Sequence, residues 1–372
     1  MTWLILALAA LWLAYLAEEA RRLAQDRRRL THIVHVNGTR GKSTVCRLIE
    51  AGLRAGGVMV FCKTTGTDPM TIDTEGREEP VLRRGPANIK EQTEILHRAA
   101  EQGAQVLVVE CMAVQPELQR VAQRDILRAD IGVITNVRRD HTDVMGETLP
   151  QICDALCSTI PQGGILFTAE EGQAGRMEAR ARKLDCRFQQ VRPAGDEPSW
   201  DFGENIALAL AVCQFLGVPQ ETALEGMARF HRDPYALSVH RLGAGIFVNG
   251  LSINDPQSTC AVWAGLRESY GWEGWELTLL VNNRPDRGSR TQDMVEVCRT
   301  LTPDQVWLMG ASQGYMRRVL RRSLPDCPVL GMGDPGALPA LREHQVVFAV
   351  GNLAGQGREL LARVREEGTP LV

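Results

Sequence analysis

The chain has 372 residues, 42 Lys and Arg against 45 Asp and Glu, and a formal net charge of -3. That length exceeds one small core, and at roughly one domain per 150 residues it argues for two folded domains. The near-neutral balance carries no polyanion signal, so composition excludes nucleic acid as a general partner, and any attraction for acidic ligands must be local. Ten cysteines (46, 62, 111, 153, 157, 186, 213, 260, 298 and 327) lie in apolar periodic segments without a CxxC pair. Reduced, buried thiols in a cytosolic setting fit that pattern. Cys153 and Cys157 are spaced to share a helix face, but no second ligand pair follows to complete a zinc site.

Residues 2–17, "TWLILALAALWLAYLA", carry no charge, and "EEARRLAQDRRRL" follows at once. As a helix this run reaches only about 24 Å against a bilayer core of about 30 Å, so a single span needs snorkelling from Arg21 and Arg22 or a thinned bilayer. An interfacial helix and a cleaved signal are the alternatives, and the lack of a basic stretch before the run counts against the signal. Five arginines (21, 22, 27, 28, 29) follow the run and no Lys or Arg precedes it. By the positive-inside rule the rest of the chain is then cytoplasmic, behind an N-terminal anchor in the cell membrane.

From residue 31 onward, short β-branched runs alternate with helical patterns. "HIVHVNG" precedes a helix over 42–55; "VMVFCKTT" precedes one near 88–102; "AQVLVVE" precedes one near 116–124; then comes "IGVITN". Such runs predict an α/β fold whose mostly parallel sheet is covered on both faces, with ligands at the carboxyl ends of the strands. Residues 171–202 turn polar, two helical patterns follow at 203–216 and 220–230, and strand–helix alternation restarts after "HRDPYALSVHRLG". The expected organisation is a membrane helix and basic flank over 1–30, a central domain over 31–235 and a smaller α/β domain over 236–372.

"VNGTRGKST" (36–44) joins a strand to a helix. Thr39, Arg40 and Gly41 fall in a tight turn whose N–H groups, with the positive end of the helix, cradle phosphate. Lys42 can reach the terminal phosphates and the Ser43 hydroxyl is placed for Mg²⁺. The longer GxxxxGK[ST] spacing is not met, since Val36 stands where its first glycine belongs. Two later strand ends add chemistry. "VLVVE" ends on Glu110, a carboxylate that core packing does not explain and a cation at Ser43 would. "ITNVRRDHTD" (134–143) gathers Asn136, Asp140, His141 and Asp143, where a neutral imidazole beside acids is suited to ligate or orient a metal.

GTRGKS, then Glu110, then TNVRRDHTD resemble, in that order, the Mur ligase superfamily of ATP-dependent amide ligases. Glu204-Asn205 in "GENIALALAV" and "HRLGAGIFVNGLSINDPQST" match its later elements, so the resemblance runs from about residue 32 to the end. A hydrophobic helix stands where cell-wall ligases carry a uridine-nucleotide domain. With "RRGPANIKEQ" and "TNVRRDHTDVMG", this is similar to the PgsB/CapB family, the ligase subunits of poly-γ-glutamate synthase.

The resemblance implies a central Mur-ligase domain with a Rossmann-like C-terminal domain, and ATP and Mg²⁺ as cofactors. ATP would be bound by Gly38, Thr39, Arg40, Gly41, Lys42, Ser43, Thr44, Asn136, Asn205 at adenine, and Arg241 and Asp255 from the C-terminal domain. Ser43, Glu110 and His141 would hold the metal, with Lys42, Glu110 and His141 catalytic. The reaction implied is ATP-driven joining of glutamate through its γ-carboxylate by way of an acyl phosphate. Where many Mur ligases carry a carbamylated lysine for a second metal, this chain reads "CDALCST", which leaves that mode without its ligand.

Arg83, Arg84, Lys90, Arg138, Arg139, Arg284, Arg287 and Arg290 are the expected cationic handles for glutamate and a growing polyglutamate chain, because guanidinium forks match carboxylates. The implied partners are the membrane and small membrane subunits of a synthase and export complex, with self-association left open. A folylpolyglutamate-type or cell-wall ligase is the rival within the superfamily. A membrane-tethered P-loop NTPase acting as a switch or motor is the rival outside it.

Overall fold

The computed structural model of the protein describes residues 2–371 apart from 67, 84, 196–201, 234, 254, 284–287 and 335–337, and apart from the side chains of 288–290. The chain forms two compact units, Met1–Asp233 and Pro234–Val372.

The first unit is built on an eight-stranded sheet. In chain order its strands are β1 (His32–Asn37), β2 (Val60–Thr64), β3 (Met70–Ile72), β4 (Glu78–Pro80), β5 (Val106–Glu110), β6 (Ile131–Ile134), β7 (Ile165–Thr168) and β8 (Arg187–Gln190). Their order across the sheet is β4-β3-β2-β5-β1-β6-β7-β8. β2, β5, β1, β6, β7 and β8 run parallel, and the β2-β3-β4 edge is antiparallel.

The central strands are buried on both faces, which is why they read as unbroken β-branched runs. Val34, Val36, Val108 and Val133 pack under Val45, Leu48, Ile49 and Leu53 of α2 (Lys42–Ala55) and under the helix Gly203–Phe215. Spacings of three and four put those α2 residues on one stripe, and each fully buried Val or Leu contributes about 1.5–3 kcal/mol. The other sheet face, with Ile33, Phe61, Leu107 and Val109, packs against α3 (Glu91–Glu101), which brings Ile95, Leu96 and Ala99.

The N-terminal helix α1 (Thr2–Arg29) is long and apolar enough to cross a membrane, and its large apolar residues from Trp3 to Leu16 are exposed. Its last turns belong to the folded unit. Leu23 and Leu30 join the cluster under α3, and Asp26 is 6% exposed with Oδ2 3.0 Å from His97 Nδ1. Arg27 Nε donates to the Ile126 carbonyl at 2.7 Å.

The second unit carries β9 (Ser238–Leu242), β10 (Gly245–Gly250), β11 (Glu276–Asn283), β12 (Gln305–Gly310), β13 (Val329–Gly331), β14 (Gln345–Val350) and β15 (Thr369–Pro370), ordered β13-β12-β11-β14-β10-β9-β15. Its first five strands in that order are parallel, and β9 and β15 close one edge antiparallel.

Candidate active site

In the first sheet β1 lies between β5 and β6, so the chain ends of three neighbouring strands share one edge. The connection from β1 to β2 and that from its neighbour β5 to β6 leave in opposite directions across the sheet, which opens a crevice between these strands, the usual ligand position in such sheets. The phosphate-loop sequence follows β1, Glu110 ends β5, and Thr135–Asn136 follow β6.

Backbone conformation explains why the loop needs its two glycines. Gly38 has φ 130°, and a Cβ on it would stand 2.0 Å from Thr135 Oγ1; Gly41 has φ 78°, and a Cβ there would stand 2.7 Å from Asn205 Oδ1. Both positions exclude a side chain by conformation and by space. The β6 end then pins the turn from outside. Asn136 Oδ1 accepts from Thr39 Oγ1 at 2.8 Å and from the Arg40 N–H at 3.1 Å, while Thr135 Oγ1 donates to the Arg40 carbonyl at 2.6 Å. The Arg138 N–H donates to Thr39 Oγ1 at 2.9 Å. Lys42 Nζ donates to the carbonyls of Gly38 at 2.7 Å and Thr39 at 3.3 Å, so the ammonium sits folded over the loop.

Ser43 Oγ donates to Glu110 Oε2 at 2.8 Å, and the Thr65 N–H donates to the same oxygen. Glu110 is 3% exposed. It pairs with Val36 in the β1–β5 register and so faces α2, where Ser43 begins the helix. A hydroxyl whose hydrogen is committed to a carboxylate presents only lone pairs elsewhere. That is a hard-oxygen donor set of the kind Mg²⁺ or Mn²⁺ takes beside phosphate oxygens, so the residues present fit a divalent cation.

His141 has φ 46° and its Nε2 lies 3.9 Å from Asp140 Oδ1, while Asp140 Oδ2 is 3.4 Å from Arg40 Nη1. Among the described residues no group of three or more His, Cys, Asp and Glu converges as a metal cage. A cation at Ser43 and Glu110 would therefore draw part of its shell from phosphate and water oxygens. Asn205, near the start of its helix, is buried against Gly41. Thr44 follows Ser43 in the first turn of α2.

Of the residues expected from the second unit, Arg241 lies exposed on β9, and Asp255 is buried as the N-cap of the helix Pro256–Tyr270, accepting from the Ser258 N–H at 2.8 Å. Arg84, Arg284, Arg287 and the Arg290 side chain lie outside the described residues. Arg138 Nη1 is 4.0 Å from Glu170 Oε2, and Arg139 is exposed. Arg83 has its fork taken by Glu91, at 2.6 and 3.1 Å.

Glu91 also takes Lys63 Nζ at 2.7 Å, and Lys63 is 0% exposed. Burial pulls the Lys63 ammonium below its ordinary range, opposed by Glu91. This pair escaped the sequence reading, where the only signal was one lysine closing an apolar run. A cleft of about 470 Å³ beside it sets Arg83 and Arg98 against Glu79, Glu91 and Glu94, so acidic side chains outnumber basic ones there. The pins from Thr135 and Thr65 were also unforeseen: Asn136 drew attention before its neighbour Thr135, and nothing local singled out Thr65.

Two family models match the chain: the Mur ligase middle domain over residues 36–193, and the poly-γ-glutamate synthase CapB C-terminal domain over residues 235–367. The PGA synthase CapB of Bacillus subtilis (strain 168) is 34% identical over 98% of both chains. The capsule biosynthesis protein CapB of Bacillus anthracis is 32% identical over 90% of this chain and 76% of its own. Among solved structures, the bifunctional folylpolyglutamate synthase/dihydrofolate synthase of Yersinia pestis, complexed with AMPPNP and a Mn ion, has the same fold, with a TM-score of 0.70 at 17% identity over 96% of this chain and 98% of that one. The loop, the buried glutamate at the neighbouring strand end and the near full-length similarity agree, and the chain belongs to the CapB family of poly-γ-glutamate synthases.

Proposed function

We propose that this protein is the ATP-dependent ligase of a poly-γ-glutamate synthase, joining glutamate through its γ-carboxylate at the inner face of a membrane. Membership of the CapB family supports the ligase and its polymer. The single observation that carries the mechanism is the Ser43–Glu110 contact beside the phosphate loop.

A carboxylate does not condense with an amine at neutral pH, so its oxygen must first be made a leaving group. In the proposed reaction a glutamate γ-carboxylate oxygen attacks the γ-phosphorus of ATP and ADP departs. The amine of a second glutamate then attacks the acyl carbon and phosphate leaves. The Thr39 and Arg40 N–H groups are given to the Asn136 carbonyl and Oδ1, so the N–H groups of Gly41, Lys42 and Ser43 hold the phosphates in line, and Lys42 turns from the Gly38 and Thr39 carbonyls to the terminal phosphate oxygens. Ser43 and Glu110 hold Mg²⁺, which when bound supplies charge neutralisation as the phosphoryl group moves. His141 assists at the metal, Asn205 meets adenine, and Arg241 and Asp255 serve phosphate and ribose. Arg138 and Arg139, beside the loop, receive substrate carboxylates.

Exposed apolar residues along the first half of α1 support membrane anchoring, next to small subunits that export the product. The folylpolyglutamate-type alternative shares the fold, but the C-terminal unit matches the CapB model, which favours a polymer of glutamate alone. The test is glutamate-dependent ADP release by the full chain with its membrane partners supplied, followed by mass spectrometry of the product. A ladder spaced by one glutamyl residue is expected, and Lys42→Ala should abolish both it and the ADP. ADP release that ignores glutamate and is unchanged by Lys42→Ala would sink the reading.

A further inference from the structure

A third oxygen ligand approaches the same hydroxyl from the end of the first unit. A Cβ built on Gly66, in the loop after β2, would stand 2.8 Å from Asp233 Oδ2 and 3.1 Å from Ser43 Oγ. Both oxygens thus border the space beside Gly66 where a side chain would stand. Ser43 gives its one hydrogen to Glu110, so its lone pairs are left for a cation. With Glu110 on the Ser43 hydroxyl and Asp233 near it, the donors are hard oxygens, the chemistry that selects Mg²⁺ or Mn²⁺ over softer metals.

Asp233 is brought there by construction. Arg47 lies four residues after Ser43 on α2, hence on the same helix face, and is 1% exposed. Its Nη1 donates to the His231 carbonyl at 2.8 Å, and its Nη2 pairs with Glu78 of β4. The guanidinium thus straps segment 231–233 to the first turns of the helix that carries Ser43. A buried arginine committed to a backbone carbonyl two residues before Asp233 limits where that carboxylate can go.

We propose that Asp233 is a further ligand, directly or through one water, of the divalent cation that binds with ATP at Ser43 and Glu110. The proposal rests on the reading of this loop as an ATP and metal site, and it extends that site to the residue where the chain leaves the first unit.

The experiment measures free Mn²⁺ by electron paramagnetic resonance as it is titrated into the detergent-solubilised full chain with saturating AMPPNP. Wild type, Asp233→Asn, Asp233→Glu and Ser43→Ala are compared, and AMPPNP binding without metal is measured in parallel. Asp233→Asn is expected to weaken Mn²⁺ binding roughly 10–100-fold without weakening metal-free nucleotide binding, and Asp233→Glu to regain most of the loss. Wild-type Mn²⁺ affinity in Asp233→Asn, while Ser43→Ala is weakened, overturns the proposal alone. If Ser43→Ala also binds Mn²⁺ as wild type does, the metal-site reading beneath it fails too. Should Asp233→Asn not fold, electron–nuclear double resonance on wild type carrying ¹³C-aspartate decides: carboxylate coupling to Mn²⁺ supports the ligand, and its absence overturns it.

Discussion

Glu110 shows how one side chain acquires a task from its place on a strand. Its carboxylate accepts from Ser43 and from the Thr65 N–H while 3% exposed. Replacing it by Gln keeps the size but puts a neutral amide where a cation needs charge. Glu110→Gln is expected to lower kcat by about 10²–10³-fold with the fold intact, which steady-state ADP release and circular dichroism check together; full activity would remove Glu110 from the site. His35 makes a different prediction. It is buried on β1, its Nδ1 lies 2.9 Å from Gln123 Oε1, and burial lowers its pKa from 6.5 to about 4. The unfolded chain therefore takes up this proton at a higher pH than the folded one. Stability is undiminished above pH 6.5 and falls as pH drops toward 4, by about 3 kcal/mol from this group. Thermal midpoints measured across that range should fall more steeply in wild type than in His35→Gln; parallel curves would show that His35 does not titrate as argued.

The loop, the helix from residue 42 to 55 and the strand ending at Glu110 were all legible before any coordinates, because each is specified by neighbours within a few residues. Other elements were not. β3 and β4 have three residues each in polar text, too short for alternation to register. The helix Ala174–Arg182 buries only Ala174, Met177 and Ala181, so alanines hide its apolar stripe. Edge strand β8 alternates exposed with half-buried residues and offers a single phenylalanine as its signal. α1 was read as one membrane element with a basic flank, yet its last turns dock on α3 through Leu23 and Asp26 and on the Ile126 carbonyl through Arg27. Beginning the chain at Glu18 should accordingly leave the thermal midpoint unchanged, whereas beginning it at Thr31 should lower it by at least about 5 °C, since buried leucine surface is lost with the helix end. Equal midpoints in the two truncations would show the docking to be energetically idle.

Across the two units, residue identity decided which chemistry is available, and strand order decided which residues meet. Consecutive residues 38–44 spell a phosphate cradle because glycine conformation, helix N–H groups and a lysine act over a few bonds. The family similarity rests on such local strings. That Glu110 lies against Ser43, 67 residues away, follows from β5 lying beside β1, and that Asp233 approaches the same hydroxyl follows from Arg47 strapping a distant segment to α2. Lys63 became an internal partner of Glu91, a carboxylate it shares with Arg83, for the same reason, since burial and pairing are properties of the packed sheet. Backbone preference and side-chain period are short-ranged and can be read along the chain. Which strands become neighbours is settled by the sum of many buried contacts between remote segments, and only the folded sheet records that sum.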